Sequence, residues 1–227
     1  MGDKYEFTDI TREHEGHTLH RIRALRDFKY VKSGDLGGWI ESEGNLSQEG
    51  SCWVSGNAWV YDDARVFGDA RVFGDAQVSD DAQVSDNAWV YGNAWVCGNA
   101  RVFGDARVYG KARVFGSAEV YDKARVYGSA EVYDNAWVFG DARVFGDAQV
   151  SDDAQVKDLR DYVLIKNFWS SGRWITFTRS NGMWKTGCFH GTGEELVRKA
   201  YADSEEKGKC YEAFVEATEK VCGVLGK

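Results

Sequence analysis

The sequence predicts a mainly β protein built around a β-solenoid, and three observations carry this. Valine occupies every sixth position from Val54 to Val156, eighteen in a row. Alanine holds a second register from Ala58 to Ala154, seventeen in a row, with Cys52 one step earlier. A period of six that never slips is the mark of a coil that stacks on copies of itself. The chain also has no proline, where average usage of about 5% gives about eleven. In a solenoid nearly every strand N–H bonds to a neighbouring coil, and proline cannot donate.

Residues 1–44 precede the repeats and read as an amino-terminal cap. Tyr5-Glu6-Phe7-Thr8 and Leu19 to Leu25 alternate as short strands, with Glu15-Gly16-His17 as a turn. Acidic and basic residues balance here, seven of each up to Gly37. Gly34-Asp35-Leu36-Gly37-Gly38 then leads into the first coil. An open solenoid end exposes both its core and unpaired backbone groups, so a cover is expected.

Residues 45–158 form the solenoid. In the string Ala-x-Val-x, side chains point in, out, in, out. Valine and alanine fill the core, and the x residues face outward. Gly-Asp and Gly-Asn supply corners, where positive φ or an Asx turn is needed. The unit Val102-Phe103-Gly104-Asp105-Ala106-Arg107 resembles that of the hexapeptide-repeat, left-handed β-helix superfamily. The resemblance implies three hexads to a triangular coil. That gives a left-handed parallel β-helix of about six coils, about 29 Å long at roughly 4.8 Å per coil. Here an aromatic follows the valine, where that family often has its glycine. Gly68 to Val84 recurs unchanged as Gly140 to Val156, an offset of 72 residues or four coils, so copying preserves the faces.

Sorting outward residues by an eighteen-residue step gives three faces. The first shows Trp53, Arg71, Trp89, Arg107, Arg125 and Arg143, flanked by Phe73, Tyr91, Tyr109, Tyr127 and Phe145. It carries four arginines, seven aromatics and no acid. The second column, Trp59 to Gln149, and the third, Arg65 to Gln155, mix arginine with glutamate and glutamine. Such an aromatic first face is a liability on a monomer. It reads as an oligomer interface, for which aromatics and arginine are enriched. It also reads as a ligand groove, since guanidinium forks bind phosphate and flat rings stack on bases. One surface between subunits serves both.

Residues 159–227 read as an α+β domain. Tyr162–Trp169, Arg173–Thr178 and Met183–His190 are expected as three strands of a meander. Thr192-Gly193-Glu194-Glu195 is a capping box that opens a helix. Tyr211, Phe214, Val215, Thr218, Cys222 and Leu225 follow helical spacing. The meander offers a secondary candidate surface of Lys166, Trp169, Arg173, Trp174, Arg179, Trp184 and Lys185. A basic aromatic sheet can bind nucleotides or single strands, while the bland expectation is that the aromatics cover the helices.

The net charge is −8, and the repeats from Asn45 to Lys157 hold seventeen acids against ten bases. That argues against duplex nucleic acid as a partner. No apolar run approaches the ~20 residues of a membrane span. The amino terminus lacks an apolar signal core, so a soluble, cytoplasmic protein is expected. Five scattered cysteines without a Cys-x-x-Cys pair point to neither zinc nor a disulfide framework. Hexapeptide-repeat acyltransferases use a histidine base and some relatives bind zinc through prism histidines. This chain has only His14, His17, His20 and His190, none in the repeats. No catalytic residue, metal or cofactor is therefore expected. The pair Cys188 and His190 lacks a third partner for nucleophilic work.

The string Arg21-Ile22-Arg23-Ala24-Leu25-Arg26-Asp27-Phe28, followed by Gly34-Asp35-Leu36-Gly37-Gly38, resembles the flanks of phage- and prophage-encoded hexapeptide-repeat proteins of unassigned function. The resemblance implies a bacterial cytoplasm during infection. The expected function is non-enzymatic binding by a homotrimer whose arginine and aromatic face holds an anionic planar ligand. One concrete form is a sponge for a nucleotide second messenger of host immunity. The competing forms are an inhibitor docking on a host defence protein, a structural oligomer and a divergent acyltransferase.

Overall fold

The computed structural model describes residues 2–225. Strands in the repeats pair in parallel at an offset of eighteen residues, so Val90 lies between Val72 and Val108. Three parallel sheets result and form the walls of a β-solenoid. All eighteen valines and seventeen alanines of the two registers are buried. Each fully buried valine contributes roughly 1.5–3 kcal/mol, which makes the repeat itself the stabilising core.

The corners follow the Gly-Asp and Gly-Asn signals. Gly104 has φ +69°, and its neighbour Asp105 donates its N–H to the Asp122 carbonyl at 2.7 Å. Where the glycine is replaced by aspartate, the aspartate takes the same left-handed conformation, as at Asp80, Asp86 and Asp122 (φ +56° to +57°). Its carboxylate then accepts the N–H one coil on: Asp80 from Gly98 at 2.8 Å, Asp86 from Gly104 at 3.0 Å and Asp122 from Gly140 at 3.2 Å. Aspartate thus offsets its backbone strain with an inter-coil bond that glycine cannot make.

The amino-terminal hairpin is longer than the alternation suggested. β1 (Tyr5–His14) pairs antiparallel with β2 (His17–Ala24) through a bulge between Phe7 and Thr11. β2 pairs with β3 (Leu36–Ile40), and β3 pairs in parallel with the strand Trp59–Val60. Ile40 beside Val60, and Leu46 beside Val66, form an irregular first turn before the six regular coils. The solenoid therefore has about seven turns, not six. The extra turn escapes a count of the repeats because Ile40 and Leu46 fill its core in place of valine. Lys4 is fully buried over the open end and donates to the Cys52 carbonyl at 3.0 Å and the Glu49 carbonyl at 3.3 Å. Its Nζ also lies 3.1 Å from the Cys52 sulfur, and burial lowers its pKa.

The far end is closed by a four-stranded antiparallel sheet, Tyr162–Lys166, Trp174–Thr178, Met183–Thr186 and Phe189–Gly191. Four strands stand where three were expected, because a turn at Gly187 (φ +55°) splits the last. This sheet supplies acceptors for the final coil's orphan N–H groups. Thr176 Oγ1 accepts from Gln149 at 2.9 Å and Ser180 Oγ from Gln155 at 2.7 Å. α1 (Gly193–Asp203) opens on the Thr192–Glu195 capping box, and α2 (Glu205–Leu225) comes after it. Both helices pack with the sheet around Ile175, Phe177, Trp184, Leu196 and Val215.

Candidate functional site

The first face assembles as its spacing requires. Arg107, Arg125 and Arg143 are register partners on successive coils, and Arg71 and Arg107 flank Trp89. The Trp89 ring carries the Arg107 guanidinium at 4.8 Å and that of Arg71 at 5.5 Å. Each such contact is worth about 0.5–1 kcal/mol at an exposed site and holds the side chain in place.

On the other walls two of the three arginines are ion-paired, and among the described residues only Arg65 is not. Arg101 pairs with Glu119 at 3.1 Å, and Arg113 with Glu131 at 3.3 Å, each one coil along. Among the described residues, Arg71, Arg107, Arg125 and Arg143 have no ion-pair partner. Adjacent like charges about 5 Å apart repel by about 1 kcal/mol in water and by more beside a low-dielectric wall. The column is therefore a site of stored positive charge.

A groove of about 680 Å³ runs along this column. Lys29, Arg71, Arg107, Lys123, Arg125 and Arg143 line it, against two acids, Asp105 and Asp141. Six cations less two anions leave +4, or +3 once Asp69 is counted against Lys29, in a chain of net −8. Lys29 and Tyr30 come from the cap. Phe28 and Val31 bond to each other through both N–H groups at 3.0 and 2.8 Å, a two-residue turn with Lys29 and Tyr30 at its tip. Tyr30 is 72% exposed and packs against the Arg71 guanidinium at 5.4 Å, while Lys29 reaches Asp69 at 3.4 Å. Periodicity could not place these two over the groove. The only local signal was a basic and an aromatic residue side by side.

The structure changes the role of several expected site residues. Trp53 is 4% exposed, lies under the cap against Tyr5 and Phe28, and is not part of the groove. Phe73, Tyr91, Tyr109, Tyr127 and Phe145 stack on one another at 4.8–5.5 Å. Their ring faces are covered within this ladder, so no base can lie flat between them. On the secondary surface Trp184 is 2% exposed in the core with the helices. Trp169 stacks on Phe214 at 4.5 Å and meets Tyr211 edge-on. Lys166, Arg173 and Trp174 remain on the outside, with the Lys166 ammonium 5.9 Å from the Trp174 ring. Lys185 turns to the solenoid, over Tyr133 at 5.5 Å. Arg179 donates to the Arg160 carbonyl at 3.3 Å. That surface is thus mostly packing.

The histidines tie the ends to the solenoid. His190 Nε2 lies 2.8 Å from the Asp152 carboxylate, while Cys188 sits apart on an exposed turn. His17 Nδ1 bonds Glu41 at 3.0 Å, and its Nε2 faces Asp62 at 3.6 Å. The Glu41 bond raises the His17 pKa. Burial pushes Glu41 upward, but hydrogen bonds from His17 and the Asp62 N–H outweigh it and hold the carboxyl below its usual range. Among the described residues, His17, Glu41 and Asp62 are the one converging set of metal-type donors, all within 4.8 Å. The imidazole spends both nitrogens on the two carboxylates, as a salt-bridge latch does. Asp62 and Asp152 lie ninety residues apart, five coils along one corner, so both caps latch to the same edge. Cys97, half-buried on the second face, has its thiol pushed up to about 11 by burial and Asp80, which leaves it unreactive.

Fold and site together define a parallel repeat β-solenoid with one cationic wall. Residues 64–80 and 82–98 are similar to the family model described as the YdcK Beta solenoid repeat. The two matched segments begin eighteen residues apart, one coil. No curated protein matches the chain.

Proposed function

We propose that this protein is a non-catalytic binding scaffold that holds a phosphorylated nucleotide along the arginine groove. The observation that supports it best is the contrast between walls. Arg101 and Arg113 on the other faces pair with glutamates and Arg65 there stands alone, whereas the first face stacks three unpaired arginines on consecutive coils with a fourth two coils back, all left to an external anion. Guanidinium forks suit phosphate oxygens, and Tyr30 offers an exposed ring for a base. In this reading the chain is a left-handed hexapeptide-repeat β-helix, and its aromatic ladder forms the seam of a side-by-side homotrimer. Its biological form is a phage-encoded sponge, in the cytoplasm of a bacterial host, that sequesters a nucleotide second messenger of immunity.

Calorimetry of the intact oligomer against linear and cyclic nucleotides tests this, with Arg107→Ala and Arg125→Ala as controls. Loss of one charge-assisted contact, about 1.5–3 kcal/mol, weakens binding about ten- to a hundredfold. Added salt weakens it further. If no nucleotide binds, or if both substitutions leave affinity unchanged, the groove is only a protein–protein seam.

A further inference from the structure

The groove's shape says more about its ligand than its charge does, once nucleotide binding, on which this inference rests, is granted. The cations form a straight row, not a cluster. Arg107, Arg125 and Arg143 occupy consecutive coils, Trp89 fills the coil before them, and Arg71 lies one coil further back. From Arg71 to Arg143 is four coil steps, roughly 19 Å at about 4.8 Å per step. A single phosphate group touches at most two neighbours in such a row.

The row is also polar, because its two ends differ. At the Arg71 end stand Lys29 and the exposed Tyr30 ring, on a turn pinned by two backbone hydrogen bonds. At the Arg143 end the Phe145 ring is 39% exposed, but it stacks on Tyr127 at 5.5 Å and meets Tyr162 at 6.4 Å, so it stands less open than Tyr30. Tyr162 lies buried there and donates its hydroxyl to the Arg143 carbonyl at 2.8 Å. Between the ends the ladder of stacked rings beside the arginines excludes a flat-lying base. The groove therefore offers one place to stack a base and a line of places to hold phosphates.

We infer that the ligand is a linear oligonucleotide-type polyanion. Its terminal base stacks on Tyr30, and its phosphates run along Arg71, Arg107, Arg125 and Arg143. A cyclic dinucleotide is too compact to reach both ends of the row. A longer ligand reaches more of these arginines, so affinity depends on ligand length.

The test is calorimetry of the full-length protein with linear 5′-phosphorylated oligoadenylates of two to six nucleotides, cyclic diadenylate and inorganic polyphosphate of matched charge. Affinity is expected to rise about tenfold for each added phosphate until about four are engaged, and then to level. The slope of log affinity on log salt should steepen by about 0.7 per engaged phosphate. Arg143→Ala should weaken the hexanucleotide about tenfold and leave the dinucleotide unaffected. Tyr30→Ala should weaken the oligoadenylates about tenfold and leave polyphosphate unchanged. Cyclic diadenylate binding as tightly as a linear ligand of equal or greater charge overturns the inference. So does affinity flat with length, or an Arg143→Ala protein that holds the hexanucleotide normally. A silent Tyr30→Ala overturns the placement of the base. If cyclic diadenylate or the dinucleotide binds and length is irrelevant, the nucleotide reading survives without this inference. If neither nucleotide nor polyphosphate binds, both fall.

Discussion

Replacing Gly104 separates two effects that act at every corner of the solenoid. Gly104 has φ +69°, and a Cβ there would lie 2.9 Å from the Asp122 nitrogen and 3.2 Å from its Cα. Gly104→Ala thus incurs the left-handed penalty of about 1–2 kcal/mol and a backbone contact that cannot yield. The expected loss is about 2 kcal/mol. Gly104→Asp meets the same backbone cost. Its carboxylate, however, can take the next coil's N–H, as Asp62 does from Asp80 at 3.2 Å. That bond returns about 1.5 kcal/mol. It also places a third carboxylate between Asp86 and Asp122, at about 1 kcal/mol per neighbour before screening. At low salt the aspartate variant should therefore lie within about 0.5 kcal/mol of the alanine variant, and as salt screens the carboxylates it should become about 1 kcal/mol the more stable. Urea unfolding followed by tryptophan fluorescence, at low and high salt, measures both midpoints. An alanine variant as stable as the parent, or equal to the aspartate variant at all salt concentrations, would refute the corner argument.

Three further outcomes are expected. Sedimentation should show a trimer at micromolar concentration, and Tyr109→Asp with Tyr127→Asp should dissociate it, because the two changes remove central rings of the ladder and put carboxylates into an apolar seam; a wild-type monomer contradicts the seam. His17 has a folded pKa above its ordinary 6.5, so protonation favours the fold. That stabilisation is complete below about pH 6.5 and is lost as pH rises through the raised folded value. The partner Glu41 is held low, so its own contribution is present above about pH 4.5 and is lost in acid as pH falls through its depressed value. His17→Gln should flatten the urea midpoint between pH 6 and 8, and an unchanged slope denies the latch its role. No acyl transfer from acyl-CoA is expected, and His190→Ala should keep nucleotide affinity while loosening the carboxy-terminal cap; loss of binding in a folded His190→Ala protein reopens the enzymatic reading.

The architecture was legible in the sequence because a solenoid contact is a fixed offset along the chain. Once Val90, Val108 and Val126 share a register, everything eighteen residues apart is a neighbour, and the arginine column can be written down without coordinates. The same logic placed Trp53 outward, yet the cap buries it. A cap contact has no period, and only packing of Tyr5 and Phe28 on that ring decides it. Lys29 and Tyr30 joined the groove for the same reason, through a turn whose direction depends on how the whole cap seats. Stacking of the aromatic ladder came from register, but its consequence did not, since rings that face one another cannot also face a base. The irregular first turn stayed hidden because Ile40 and Leu46 satisfy the core with residues outside the repeat alphabet. Sequence determined what repeats along the axis; tertiary structure decided what lies across the ends, where no offset relates one residue to the next.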